Sequence, residues 1–109
     1  ALIYSAADVF LCTTLADAQP QTALESMACG TPVIAFDIGP MSSIVKKNVT
    51  GLLVEEISGR SLKNSIDDFY HQKNWNEFQY ACRDQALQMY DLKKQTIKYI
   101  DSYSKILAL

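Results

Sequence analysis

The sequence predicts an α/β layer fold, in which three parallel strands are covered by helices and followed by an all-helical C-terminal segment. Three observations carry this. Short apolar runs without polar alternation occur at about residues 8–12, 32–36 and 51–54, as in strands buried on both faces. Helically spaced apolar residues separate these runs. From residue 58 onward only the helical period remains.

Val9-Phe10-Leu11-Cys12, following Asp8, makes the first strand. Gln21 to Cys29 reads as a helix, because Leu24, Met27 and Ala28 fall at i, i+3 and i+4 and Gly30 with Pro32 supplies a stop. Pro32-Val33-Ile34-Ala35-Phe36 is the second strand, and Met41 to Lys47 a shorter helix ended by Asn48. Gly51-Leu52-Leu53-Val54 is the third strand. Ser58-Gly59-Arg60-Ser61 then opens a helix with Leu62, Ile66 and Phe69 on one face. Asn74 or Asn76 can cap the next, where Phe78, Cys82 and Met89 form a stripe beside Ala81 and Ala86. A last helix from about Leu92 carries Ile97, Ile100, Tyr103 and Leu107.

The order β-α-β-α-β-α-α-α implies right-handed crossovers and a partial Rossmann-like layer structure. No internal repeat or low-complexity linker divides the chain. Residues 1–109 read as a single domain, with a strand and helix half over 1–57 and a helical segment over 58–109. Doubly wound sheets of this type have about five or six strands. The chain is therefore expected to be the truncated second half of a nucleotide-binding domain. Its first strand would then present an unpaired edge, through which a homodimer could form.

Composition narrows the function classes. The 109 residues are 49% hydrophobic and 20% charged, too apolar for a disordered chain. Ten Lys and Arg against twelve Asp and Glu leave a net charge of −2, which argues against nucleic-acid binding through bulk positive charge. No run of about 18 apolar residues is present to span a membrane. The three cysteines, Cys12, Cys29 and Cys82, are odd in number and show no C-x-x-C spacing. They read as small core hydrophobes of a protein in a reducing, cytoplasmic compartment. A signal peptide is not expected, since no positive charge precedes the first apolar stretch and Asp8 interrupts it.

Residues 1–45 contain no Lys, Arg or His and four acids, Asp8, Asp17, Glu25 and Asp37, so the remainder carries +2. Lys93, Lys94, Lys98 and Lys105 lie in the last helix with Tyr99 and Tyr103. That helix would suit peripheral contact with an anionic inner-membrane surface. Solvated helix faces alone would produce the same charge pattern.

The stretch from Thr13 to Glu25 begins at the carboxyl end of a predicted parallel strand, where open α/β sheets bind ligands. Pro20 suits the first turn of the following helix. The amides of Gln21, Thr22 and Ala23 would point out of its N-terminus and attract phosphate without any basic side chain. Asp17 and Glu25, eight residues apart, could border one cleft. Glu25 points about 100° away from the buried stripe, and a carboxylate there can accept the two hydroxyl protons of a ribose. Equally, the helix start could be capped and nothing more, and both acids ordinary surface residues.

At this segment a family resemblance enters. Asp17-x7-Glu25 and the following Ser26-Met27-Ala28-Cys29-Gly30-Thr31-Pro32-Val33-Ile34-Ala35 resemble the E-x7-E motif and the E-A-M-A-C-G-T-P-V-I-A run of retaining family-four glycosyltransferases with the GT-B fold. Ser5 to Leu11 is similar to the family's strand leading into the site, and Thr50-Gly51-Leu52-Leu53-Val54 to its later G-L-L-V strand. The likeness covers residues 4 to about 70 closely. It implies half of a GT-B C-terminal domain, the donor-binding part of an enzyme that moves a sugar from a nucleoside diphosphate to an acceptor with retention. Bacterial cell-surface polysaccharide or glycolipid synthesis is the expected setting.

Carried over position by position, Glu25 would hold the ribose hydroxyls and Asp17 would face the donor sugar and reaction centre. The backbone of Gln19, Pro20, Gln21 and Thr22 would approach the sugar and diphosphate. No metal cofactor is expected. Three departures stand out. Asp17 is one methylene shorter than the usual Glu and fits a D-x-x-P-N variant of the family. Ser43 occupies a stretch where the family often has Glu. The basic pair that neutralises the leaving diphosphate, and the domain that binds a sugar or lipid-linked acceptor, are expected before Ala1, so the 109 residues alone should be inactive.

In the family the terminal helix tends to pack towards the other domain, the preferred account of its apolar face. Trp75, Tyr80 and Tyr90 are expected in core or interface packing rather than sugar stacking, and His71 on a helix surface. The rival to the enzyme reading is a non-catalytic nucleotide-binding or protein-interaction module on a half-Rossmann scaffold.

Overall fold

A computed structural model describes residues 1–108 of the chain. The elements run α1 (Leu2–Ala6), β1 (Phe10–Cys12), α2 (Gln21–Ala28), β2 (Val33–Phe36), α3 (Met41–Ile44), β3 (Gly51–Val54), α4 (Gly59–Tyr70), α5 (Trp75–Met89) and α6 (Leu92–Leu107). The three strands are parallel and lie side by side in chain order. Phe10 stands opposite Val33, and Val33 opposite Gly51. Parallel neighbours need crossovers, which α2 and α3 supply.

β2 is the central strand, and all four of its residues are buried. Side chains alternate between faces along a strand, so β2 serves two separate interiors. Val33 and Ala35 join Cys12, Ala23, Met27, Met41, Ile44, Val45 and Cys82 in one layer. Ile34 and Phe36 join Leu52, Val54, Phe69 and Phe78 in the other. In the second layer Trp75 stacks on Phe69 at 5.7 Å between ring centroids, and Phe78 meets Phe69 edge-on at 5.3 Å. Trp75 is therefore packing, as expected. Tyr80 is instead 77% exposed, because it falls on the outer face of α5.

The expectation of strands buried on both faces holds for β2 and fails for β1. Cys12 is buried, but Leu11 is 40% exposed. α4 packs on β2 and β3, which leaves that face of β1 uncovered among the described residues. α1 was not foreseen, since its five residues carry no buried side chain and hence no apolar stripe. The helix expected over Met41–Lys47 stops at Ile44. Val45 turns extended at φ −95°, ψ 115°, and the Thr50 hydroxyl accepts the Lys46 N–H at 2.9 Å. Asn48, at φ 61°, then turns the chain into β3.

α2 buries Ala23, Ser26 and Met27, with Leu24 only half-buried, so the sheet-facing stripe is offset from the predicted one. The buried Ser26 hydroxyl satisfies itself on the Thr31 carbonyl at 3.0 Å. Gly51 is required by closeness rather than by a turn. A Cβ there would lie 1.8 Å from the Val33 carbonyl oxygen, so only glycine lets the chain enter β3 at this spacing.

The helical segment starts as the sequence suggests. The Ser58 side chain caps α4 by accepting the Ser61 N–H, and Asp91 caps α6 by accepting that of Lys94. Lys94 Nζ also reaches the Leu87 carbonyl at 3.2 Å, tying the base of α6 to α5. Beyond that, α6 carries no buried residue. The radius of gyration is 15.5 Å, against about 13 Å for a compact domain of this length, and the extents are 52 × 27 × 21 Å. Among the described residues no helix is long and apolar enough to cross a membrane.

Candidate functional site

β1 ends at Cys12, and the chain from Thr13 to Gln19 crosses the carboxyl end of the sheet as an exposed loop. One Asp17 carboxylate oxygen accepts the Gln19 N–H at 2.9 Å, closing an Asx turn, and the other oxygen has no hydrogen-bond partner among the described residues. Pro20 is buried and, at φ −69°, is the N-cap of α2 rather than a residue of its first turn. No side chain caps this helix. The amides of Gln21, Thr22 and Ala23 thus lack intrahelical acceptors and form a partly positive helix end.

Glu25 stands one turn further along α2, exposed. Its Oε2 accepts the Tyr4 hydroxyl at 3.2 Å. Desolvation, followed by the neighbouring carboxylate, raises the Tyr4 phenol above its ordinary pKa. Tyr4 belongs to the unforeseen α1, so sequence reasoning missed this contact. Tyr4 lies 21 residues before Glu25, and no local spacing signals the pair.

Two hollows flank the start of α2. A cleft of about 460 Å³ opens between α2, α5 and the base of α6, with Gln19, Gln21, Glu25, Arg83, Tyr90 and Asp91 among its walls. That size suits a small-molecule ligand, for which pockets of about 300–1,000 Å³ are usual. The second hollow, of about 30 Å³, is lined by Asp17, Pro20 and the β2–α3 turn at Ile38, Gly39 and Pro40. The expectation that Asp17 and Glu25 border one cleft is corrected accordingly. Buried Pro20 anchors the first turn of α2 between them, and the two carboxylates line different hollows. Thr22 is exposed at the helix start but lines neither hollow.

Two further residues were missed. Gly39 shapes the β2–α3 turn beside the Asp17 segment by taking a left-handed φ of 54°, which side chains other than glycine rarely adopt. Arg83 donates to the Ala28 carbonyl at 2.5 Å, neutralising the C-terminal end of α2. It is the one cation lining the larger cleft among the described residues. No sequence spacing relates Arg83 to Glu25. Among the described residues, no three His, Cys, Asp or Glu side chains are grouped to hold a metal ion. His71 sits exposed at the end of α4, its Nδ1 2.6 Å from the Asp67 carbonyl.

The family described as glycosyl transferases group 1 matches residues 1–89. The chain belongs to that family. It corresponds to the C-terminal part of GT-B glycosyltransferases, as the motif from Asp17 to Ala35 suggested. It is 35% identical over 74 residues to D-inositol 3-phosphate glycosyltransferase of Streptosporangium roseum, covering 68% of this chain and 17% of that protein. To a putative teichuronic acid biosynthesis glycosyltransferase of Bacillus subtilis it is 31% identical over 70 residues, 64% of this chain and 18% of that one.

Among solved structures, sucrose-phosphate synthase from Thermosynechococcus elongatus superposes with a TM-score of 0.88 and 28% identity, over 98% of this chain and 27% of that one. The Anabaena protein HepE, solved with UDP and glucose, shares the fold with a TM-score of 0.84 and 22% identity, over 94% of this chain and 28% of HepE. This group 1 glycosyltransferase chain thus spans about a sixth of the curated relatives and about a quarter of the solved ones.

Proposed function

We propose that the chain is the donor-binding part of a glycosyltransferase that moves a sugar from a nucleoside diphosphate sugar to an acceptor, with retained anomeric configuration. The observation that carries this reading is the uncapped start of α2, with Asp17 on one side and Glu25 on the other. The diphosphate sits against the amides of Gln21, Thr22 and Ala23, which supply hydrogen bonds and the helix dipole where residues 1–45 offer no basic side chain. Glu25 takes the ribose hydroxyls from the 460 Å³ cleft. Asp17 faces the sugar from the smaller hollow, beside the Gly39 turn. HepE, which shares this fold, was solved with UDP and glucose, and that supports the same class of donor here.

The chemistry is positioning and electrostatics. As the sugar–phosphate bond breaks, positive charge grows on the sugar ring and negative charge on the leaving diphosphate. A carboxylate about 4 Å from the first contributes about 1 kcal/mol in water and about 4 kcal/mol in a partly desolvated site. Uncapped amides meet the second charge without having to reorganise. The acceptor in this reading is a sugar or a lipid-linked acceptor. Bacterial cell-surface polysaccharide or glycolipid synthesis is the proposed setting, in keeping with the teichuronic acid relative.

The test is sugar transfer by the full polypeptide. Asp17→Ala is expected to lower kcat by about 100-fold or more, in the range for loss of one transition-state electrostatic contact. Glu25→Ala is expected to weaken donor binding by about 10- to 100-fold, the loss of a charge-assisted hydrogen bond. Unchanged transfer in both variants would sink the site assignment.

A further inference from the structure

Tyr4 is fixed at three points, although its own helix buries nothing. Its ring meets the Phe10 ring edge-on, at 5.7 Å between centroids. Its carbonyl accepts the buried Thr31 hydroxyl at 2.6 Å. Its own hydroxyl donates to Glu25 Oε2 at 3.2 Å. Phe10 belongs to β1 and Thr31 to the turn entering β2, so Tyr4 takes its position from the sheet and passes it to Glu25.

We propose that Tyr4 is a positioning residue for Glu25, holding one carboxylate oxygen so that the carboxylate is preset for the ribose hydroxyls of a nucleoside diphosphate donor. This rests on the assignment of Glu25 to the ribose. An exposed glutamate otherwise turns about three bonds, and a ligand that needs one rotamer must freeze it on binding. The phenol freezes it beforehand. An ionised carboxylate has lone pairs on both oxygens and accepts from several donors at once. Tyr4 and a ribose diol therefore bind the same group without competing. With its pKa raised, the phenol keeps the proton it donates.

The experiment uses the full polypeptide. UDP, GDP and ADP are titrated by calorimetry, and the tightest binder is compared with its 2′-deoxy counterpart. The ribonucleotide is expected to bind more tightly than the deoxy form. Glu25→Gln is expected to remove most of that preference; an intact preference overturns the ribose assignment and this inference with it. Tyr4→Phe keeps the ring on Phe10 and the carbonyl bond to Thr31. It is expected to weaken the ribonucleotide by about 3- to 10-fold and shrink the preference. It should also raise the donor KM and leave kcat and the melting temperature unchanged. A full preference in Tyr4→Phe, alongside a lost one in Glu25→Gln, overturns the positioning role and leaves the ribose assignment standing. A lowered melting temperature with the preference intact does the same, and makes Tyr4 structural. Failure of all three nucleotides to bind overturns both.

Discussion

α2 and α6 are both amphipathic, and they meet opposite fates. α2 has eight residues and a stripe interrupted by a serine, yet Ala23, Ser26 and Met27 are wholly buried. α6 has sixteen residues, with Leu92, Tyr99, Ile100, Tyr103, Ile106 and Leu107 on one side, and buries none of them. Leu92 is 80% exposed and Leu107 84%. The period of a helix states which face seeks burial; it does not state against what. α2 lies between the sheet and α5, whereas α6 is tied to the end of α5 by hydrogen bonds from its first turns. The helix that opens the candidate site thus has its partners within the described residues, in the sheet and α5, whereas the apolar side of α6 has none there.

Three perturbations would break or sharpen this contrast, the largest first. Gly51→Ala places a methyl 1.8 Å from the Val33 carbonyl and must push β3 off β2. Overpacking typically costs about 1–3 kcal/mol, and contact with a backbone that cannot yield costs more. Thermal melting should therefore show the 109-residue chain losing its cooperative transition. A retained transition would mean that the strand pairing is looser than the register implies.

The second perturbation sets Met27→Ala against Ile100→Ala. Truncating buried Met27 should cost about 2–5 kcal/mol by denaturant titration, whereas Ile100 should cost less than about 0.5 kcal/mol. Comparable losses would show that α6 is packed after all, and the contrast would fall.

The third uses Cys82, which is buried in the layer beneath α2 and donates to the Thr50 carbonyl at 3.2 Å. Burial pushes its thiol from an ordinary 9.0 up to about 12. The folded chain thus holds this proton after the unfolded chain has lost it. The associated stability is complete below pH 9 and declines as the pH rises from 9 toward 12, at up to about 1.4 kcal/mol per pH unit. Denaturant titration at pH 8 and pH 10 should show the decline in the native chain. Cys82→Ala should lose that component, and an equal decline in this variant would count against the assignment.

Much of the architecture was legible in the residues. Continuous apolar runs located all three strands, because a central parallel strand needs apolar side chains on both faces. β2 meets that rule fully, and β1 departs from it at Leu11, since no helix among the described residues covers that face. Ser58 and the α4 stripe of Leu62, Ile66 and Phe69 were readable for the same local reason. α1 and the early end of α3 were not. Five residues with no buried side chain leave no periodic trace, and Val45, extended and buried beside Met41 and Ile44, is no less apolar than a helical residue would be.

By itself, the sequence determined the order of elements from β1 onward, the family, and the placing of Asp17, Gln21 and Glu25 around one helix start. All of these depend on neighbours within about a dozen positions. Only the tertiary structure decided that Asp17 and Glu25 line separate hollows, that Tyr4 holds Glu25, and that Arg83 closes the far end of α2. Tyr4 lies 21 residues from Glu25, and Arg83 lies 55 from Ala28. Such contacts arise when the crossover rule and two packed layers fold distant segments onto one helix, and no local spacing encodes them.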